Sequence, residues 1–449
     1  MKKIKLILLS LFCTFLFSNY EVDANQFNII TDNYNQTLSY LQSNHMTIKT
    51  SIPEIGYIET DGSLTKEQIR LEDKNIKCIE DTVNQTDPDL FGDSVVAQPE
   101  PNYLPKLFSY QWGMNRITNS GKSYRINHNN RKLINVAIID SGIDTSHEAF
   151  KGSIDFKHSE NLVPAGGYDN TEPEEKGNKD NLQDFKGHGT AVAGQVSANG
   201  QIYGVSPGAE LQIYRVFGKS KSKESWVLRA IIDAVNNGAD IINLSLGQYV
   251  KLPQGNFFNS ADAIGYKLAL DYAERHNVIV VSAVGNDGIG EDPTSLKKLY
   301  EKENGTVGNL NYQVIDLPAC LNNTIAVGSS DNNNRISSFS NHFNKYDSHF
   351  VLAPGGGTEL LNKYGEKKWY EDKLFMQESI LSTSNDGNYN YFNGTSVSTG
   401  KVSGELAEIM STFGLKERPW AAKYILLNKT TTTNDGYKEI NVYSALGGN

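Results

Sequence analysis

Cysteine is scarce in this sequence, positive charge is in the minority, and long apolar runs are almost absent. Only Cys13, Cys78 and Cys320 occur in 449 residues, too few for a disulfide framework. Lys and Arg number 42 against 52 Asp and Glu, a net charge of -10. A nucleic-acid binder needs a basic face to displace counterions, so that class is excluded. No stretch beyond the N-terminus is long and apolar enough to span a membrane, and no internal repeat is visible. What remains is a globular composition, 38% hydrophobic and 21% charged, in a chain long enough for two or three units.

The N-terminus carries the first positive signal. Lys2, Lys3 and Lys5 precede a mostly apolar run over 6–17, and Val22 and Ala24 supply small residues before a cleavage point. This is the pattern of a secretory signal peptide over 1–24, too short for a comfortable membrane span. A secreted, extracellular and soluble protein is expected. Of the two cysteines left after cleavage, Cys320 is expected to be a lone buried thiol. Residues 25–104 read as a small α+β unit and linker, with strands over 27–30 and 55–58, a helix over 36–41, and Pro99, Pro101 and Pro105 near its end.

From residue 105 to 449 the pattern changes. Almost continuous apolar strands are expected over 133–139, 211–217, 241–246, 278–284 and 324–327. Helices are expected between them over 191–197, 225–236 and 261–276. Strand and helix in alternation imply an α/β unit whose mainly parallel sheet is covered on both faces. Such sheets place their sites at the C-terminal ends of strands. The stretch 161–184, rich in Gly, Glu, Asp and Asn, reads as a long exposed loop.

Three short stretches carry chemistry. Asp140 closes the run Ala137, Ile138, Ile139. His188 lies between Gly187 and Gly189 at the start of a helix. Ser396 follows Asn393, Gly394 and Thr395 at the start of another. A serine hydroxyl is a poor nucleophile at its free pKa and needs a base, which in turn needs an orienting carboxylate. Glycines let the backbone pass close to a substrate, and a helix N-terminus directs free N–H groups at developing negative charge.

The order Asp, His, Ser with these flanks resembles the subtilisin-like serine proteases, or subtilases. The resemblance runs from about Trp112 to the C-terminus and includes Gly204-Val205-Ser206-Pro207-Gly208-Ala209, Asn243-Leu244-Ser245-Leu246-Gly247 and Glu439-Ile440-Asn441-Val442. It implies the three-layer subtilisin-like fold, preceded by a small propeptide that chaperones and inhibits intramolecularly. It implies Asp140 as orienter, His188 as general base then acid, Ser396 as nucleophile and Asn286 as oxyanion donor. A peptide or protein substrate would add as a strand between Ser245-Leu246-Gly247 and the stretch after Gly218. The first pocket would be walled by Ser245, Leu246, Gly247, Gly285 and Asp287. Asp287 either favours Arg or Lys before the cut bond or is a solvated surface carboxylate.

The sequence also departs from that family. Gly400 stands where a proline is usual after the serine, which is expected to loosen the helix. Ala149 replaces an acidic residue and the loop 198–202 is short, so the family's tight calcium site is not expected. No cofactor is required for catalysis, and a structural calcium ion is possible elsewhere without an assignable ligand set. Gly166-Gly167-Tyr168, Thr171 to Glu175, Asn199-Gly200 and Tyr214 to Gly218 resemble the bacterial lantibiotic leader peptidases. That branch implies an endopeptidase that removes the leader from a lantibiotic precursor, usually after Arg. A monomer is expected. A broad-specificity degradative subtilase and an inactive subtilase-fold binding module are the alternatives.

Overall fold

The computed structural model describes residues 25–82, 84–85, 103–126, 133–304 and 311–448. The signal segment, and Pro99 and Pro101 of the linker, lie outside the described residues.

The N-terminal unit is an antiparallel sheet of four strands in the order Thr47–Ile52, Tyr57–Gly62, Asn25–Thr31, Ile76–Asp81. Helices Tyr34–Ser43 and Lys66–Glu72 accompany it. Its alternation has period two. Phe27, Ile29, Ile58 and Ile79 face Leu41 and Ile69 of its own helices. Ile30, Tyr57 and Cys78 face the larger unit and join that unit's core. The strand expected over 55–58 is shifted. Pro53–Ile55 forms a tight 3-10 turn, and Gly56, at a φ of 64° with Thr31 O where a Cβ would go, delays the strand to Tyr57.

The larger unit is built on a nine-stranded sheet. Its centre runs in the order Glu210–Arg215, Asn135–Asp140, Ile241–Leu244, Ile279–Ala283, Thr324–Ser330, Phe350–Pro354, all parallel. Short strands Glu160–Asn161 and Lys438–Glu439 extend the two edges in parallel, and Thr431–Thr432 closes one edge antiparallel. Alternate residues of these strands serve opposite faces. Val136, Ile138 and Val281 pack with Val192 and Leu406 from helices His188–Ser197 and Thr395–Phe413. Ala137, Ile139 and Val280 pack with Ile231 and Leu270 from helices Glu224–Asn236 and Ala261–Arg275. Three layers result, as a sheet buried on both faces requires.

Three features differ from the sequence reading. The first central strand begins at Asn135, and Leu133 is 59% exposed. Phe350–Pro354, and an antiparallel pair Gln248–Pro253 with Tyr312–Leu317, had no counterpart in it. The stretch 161–184 is more than an exposed loop. It folds back on itself through Ala165–Gly166 and Glu172–Lys176, and Glu172 and Glu175 are buried. The reason is electrostatic: the fully buried Arg215 ends its strand here, and Glu175 lies 2.7 Å from its guanidinium.

Cys78 is buried and Cys320 half-buried, and both are free. Burial raises both thiols, Cys78 to about 11. Among the described residues no helix is long and apolar enough to cross a membrane.

Candidate active site

Parallel strands bring Asp140, Ser245 and Asn286 to one rim of the sheet. Leu244 pairs with Ile139, so Ser245 lies beside Asp140. Ser282 pairs with Leu244, so the turn after Ala283 carries Asn286 to the same rim on the next strand. Helices His188–Ser197 and Thr395–Phe413 start at this rim and pack against one another. A Cβ on Gly400 would come within 2.8 Å of Val192 O, so glycine sets the distance between them. The residue expected to loosen this helix instead permits its close packing.

His188 Nδ1 is 2.7 Å from Asp140 Oδ1, and both side chains are almost fully buried. That bond places the proton on Nδ1 and leaves Nε2 as the acceptor. Nε2 has no partner among the described residues. Burial alone would lower the imidazole pKa. The Asp140 carboxylate outweighs it, with help from Asp184 and against Lys186, and the net direction is upward. Asp184 was missed by sequence reasoning, yet it builds this corner. Its Oδ1 accepts from the backbone N–H groups of Lys186 (2.9 Å) and Gly187 (2.8 Å), and its Oδ2 from Thr190 N (2.9 Å). Ser141 Oγ bridges Asp184 and Gly189 N. The helix thus gains a cap that Gly187 cannot supply. An acidic residue shortly before the first helical residue was the available signal.

Ser396 is the second residue of its helix, and its Oγ donates to Ser245 O at 3.3 Å. Ser245 Oγ in turn donates to Ser396 O at 2.9 Å. Asn286 Oδ1 accepts from Thr395 N (2.9 Å) and Thr395 Oγ1 (3.1 Å). The amide oxygen is therefore engaged and the amide N–H₂ faces away from Thr395. Gly394, one position before Thr395, has a φ of 151°, and a Cβ there would make ordinary contact with Asn286 Nδ2 at 3.6 Å.

The expected substrate edges are also at this rim. Gly218 is buried against Glu172, whose Oε2 would lie 2.0 Å from a Cβ on Gly218. Glu172 accepts from Lys219 N and Ser220 N, each at 2.9 Å, and fixes the stretch after Gly218. Nothing in the sequence distinguished Glu172 from its acidic neighbours. Beyond it, Ser222–Lys223 pairs antiparallel with Asn84–Gln85, the chain leaving the N-terminal unit. A Cβ on Gly247 would lie 3.0 Å from Leu317 O and one on Gly285 2.9 Å from both Asn341 Nδ2 and Tyr249 Oη, and Asp287 Oδ2 accepts from Tyr249 Oη at 2.5 Å. Among the described residues no three His, Cys, Asp or Glu are grouped to hold a metal ion. The short loop 198–202 closes on Ala149 O through Asn199 N.

One rim of the sheet thus carries an imidazole oriented by a carboxylate, a hydroxyl at a helix start and an amide held by its oxygen; Ser396 Oγ is bonded to Ser245 O and His188 Nε2 has no partner among the described residues. A profile of the subtilase family matches residues 131–443. The epidermin leader peptide-processing serine protease EpiP of Staphylococcus epidermidis is 37% identical over 418 residues, 90% of this chain and 87% of that one. The nisin leader peptide-processing serine protease NisP of Lactococcus lactis subsp. lactis is 37% identical over 346 residues, 76% of this chain but 49% of that one. The crystal structure of EpiP from Staphylococcus aureus superposes with a TM-score of 0.83 at 35% identity, covering 94% of this chain and 98% of the other. The chain belongs to the subtilase family of serine peptidases.

Proposed function

We propose that this subtilase is an exported endopeptidase that cuts a leader from a lantibiotic-type precursor after a basic residue, using Asp140, His188 and Ser396. The observation that carries the reading is the 2.7 Å bond from His188 Nδ1 to Asp140, which leaves Nε2 without a partner, on a helix packed against the one that carries Ser396. Ser396 Oγ exchanges its bond to Ser245 O for one to Nε2 and attacks the substrate carbonyl carbon. The hydroxyl proton passes to Nε2, and the oxyanion is held by Asn286 Nδ2 and Ser396 N–H. Collapse breaks the C–N bond as Nε2 gives the proton to the leaving amine, forming an acyl-enzyme. Water, deprotonated by Nε2, then releases the new carboxyl and restores Ser396.

Residues 25–104 are proposed as the inhibitory propeptide. Support comes from the pairing of Asn84–Gln85 along the substrate edge at Ser222–Lys223, where a substrate strand would add. The leader-processing assignment rests on the relatives above, which are named for that activity. The test is a fluorophosphonate label on the processed protein, followed by a peptide library. Labelling at Ser396 with a sharp demand for a basic residue is expected. Labelling with broad tolerance of apolar residues selects a degradative enzyme, and no labelling leaves only a binding module.

A further inference from the structure

A buried polar chain runs from the middle of the sheet to Ser396. Asn243 lies inside strand Ile241–Leu244, level with Ile138 and Val281 in the strands on either side. Ile241, Ile138 and Val281 belong to the apolar core on that face, and Asn243 is fully buried among them. An amide in such a place is costly unless its bonds are used. Both of its ends are engaged. Ser403 Oγ donates to Asn243 Oδ1 at 2.9 Å, and Asn243 Nδ2 donates to Ser245 Oγ at 2.8 Å. Ser245 Oγ donates onward to Ser396 O at 2.9 Å. All four residues of the chain are buried.

The chain has a direction. An amide N–H₂ can only donate, so Ser245 Oγ accepts from it and turns its own hydrogen to Ser396 O. Ser403 sets the amide the same way by occupying Oδ1. The chain also has two ends on one helix. Ser396 and Ser403 are seven positions apart in Thr395–Phe413, on one face and about 10 Å apart along the axis. Asn243 meets the helix directly at Ser403 and through Ser245 at Ser396. One such point would let the helix pivot, and two fix its tilt on the strand. Ser245 also begins the proposed substrate edge, two residues from Asn243 and on the same face of the chain.

We infer that Asn243 is a positioning residue for the reaction: through Ser245 and Ser403 it holds the first turn of the Ser396 helix at a fixed place against the substrate edge. It is buried too deep to touch substrate and acts only through its two serine partners. The inference rests on the proposed role of Ser396 as nucleophile. Both the Oγ and the backbone N–H of Ser396 ride on that first turn, so a shift of the helix misplaces nucleophile and oxyanion donor together. The bond from Ser396 Oγ to Ser245 O is 3.3 Å, long for two oxygens. The hydroxyl is thus free to turn, while the backbone that carries it is held. A displacement of about 1 Å at reacting atoms costs about 100-fold in rate.

The experiment measures kcat, KM and Tm with a peptide amide substrate on processed wild-type, Asn243→Ala, Ser403→Ala and Ser206→Ala protein. Fluorophosphonate titration counts the Ser396 sites that react. Ser206 is the comparison: its Oγ donates to Glu408 Oε1 at 2.8 Å and ties the same helix farther along, off the chain. In Asn243→Ala, kcat per labelled site should fall about 100-fold, and in Ser403→Ala about tenfold, with KM within a factor of about two in both. Ser206→Ala should lower Tm and keep the wild-type kcat per site. Ser403→Ala removes a single hydroxyl, so it carries the test should Asn243→Ala not fold. A wild-type kcat per site in Ser403→Ala, a loss that appears in KM, or an equal loss in Ser206→Ala overturns the inference and leaves the proposed function standing. A wild type that is not labelled at Ser396 overturns both.

Discussion

At the scale of single residues, the site separates groups that do chemistry from groups that aim them. Asn286 is aimed by Thr395, which occupies its amide oxygen twice. In the proposed mechanism its N–H₂ contributes only when negative charge develops on the substrate. In a subtilisin, loss of the oxyanion asparagine costs about 10²–10³ in turnover. Asn286→Ala is expected to show a kcat loss of that size with KM within a factor of about three, measured by steady-state kinetics. His188 gives a second prediction. It must be neutral to accept the serine proton, and its pKa is moved upward by a balance that Asp140 wins against burial. The acid limb of kcat/KM should therefore have its midpoint above the ordinary histidine value of about 6.5. A midpoint at or below that value refutes the balance.

That Asp140, His188, Asn286 and Ser396 come to one rim was legible because each sits where an apolar strand or helix pattern breaks at a glycine. Asp184 caps the helix just after it, a local signal that was read past. Glu172 was not legible: it acts on the backbone N–H groups of Lys219 and Ser220, in a distant turn, and no periodicity records such a contact.

At the scale of elements, the pair of helices that start at His188 and Thr395 decides the geometry. Gly400 tests this. By intrinsic propensity, Gly400→Ala gains about 1 kcal/mol for a helix interior. Its Cβ, however, would meet Val192 O at 2.8 Å and Gln195 Cβ at 3.1 Å. The first contact is with backbone, so helix must move against helix, and overpacking of this kind costs about 1–3 kcal/mol. The packing term wins. Gly400→Ala should lower Tm by a few degrees and reduce kcat, because the displaced helix carries Ser396. Calorimetry together with kinetics checks it. A variant that is both more stable and fully active would return the position to the simpler reading, that of a loosened helix. Strand and helix boundaries were read within one to three residues where the sheet is buried on both faces, since those runs are unbroken. They failed in the acidic stretch 161–184, where order comes from the ion pair of Glu175 with Arg215 and from Glu172 on the loop after Gly218.

At the scale of the whole molecule, the seam between the N-terminal unit and the helices Glu224–Asn236 and Ala261–Arg275 is unusually acidic. Glu59 and Glu80 come from one side, and Glu224 and Asp262 from the other. Asn28 Nδ2 donates to Asp262 Oδ1 at 3.2 Å, and Ala261 N and Ser260 Oγ donate to Glu80 Oε2. Ser225 Oγ donates to Glu59, and Lys223 is the cation nearest it, 3.6 Å away. Tyr57, Tyr266, Cys78 and Tyr300 are further titratable groups there and none supplies positive charge, while Arg70 acts on Cys78 from the N-terminal unit. Burial, followed by Asp262, raises Glu80 from 4.5 to about 7. Burial likewise raises Glu224 and Asp262. The docked state thus holds protons that the separated state releases. For Glu80 the contribution to docking is complete below about 4.5 and is lost as pH climbs through about 7. A shift of that size is worth about 3 kcal/mol. In a full-length Ser396→Ala chain, hydrogen exchange of Asn25–Thr31 and Ile76–Asp81, corrected for intrinsic rates, should be slower at pH 5 than at pH 8.5. Glu80→Gln, which cannot ionise, should shrink that difference. If protection is the same at both pH values, the acids at the seam are neutralised by something other than protons, and the N-terminal unit is held by its apolar face alone.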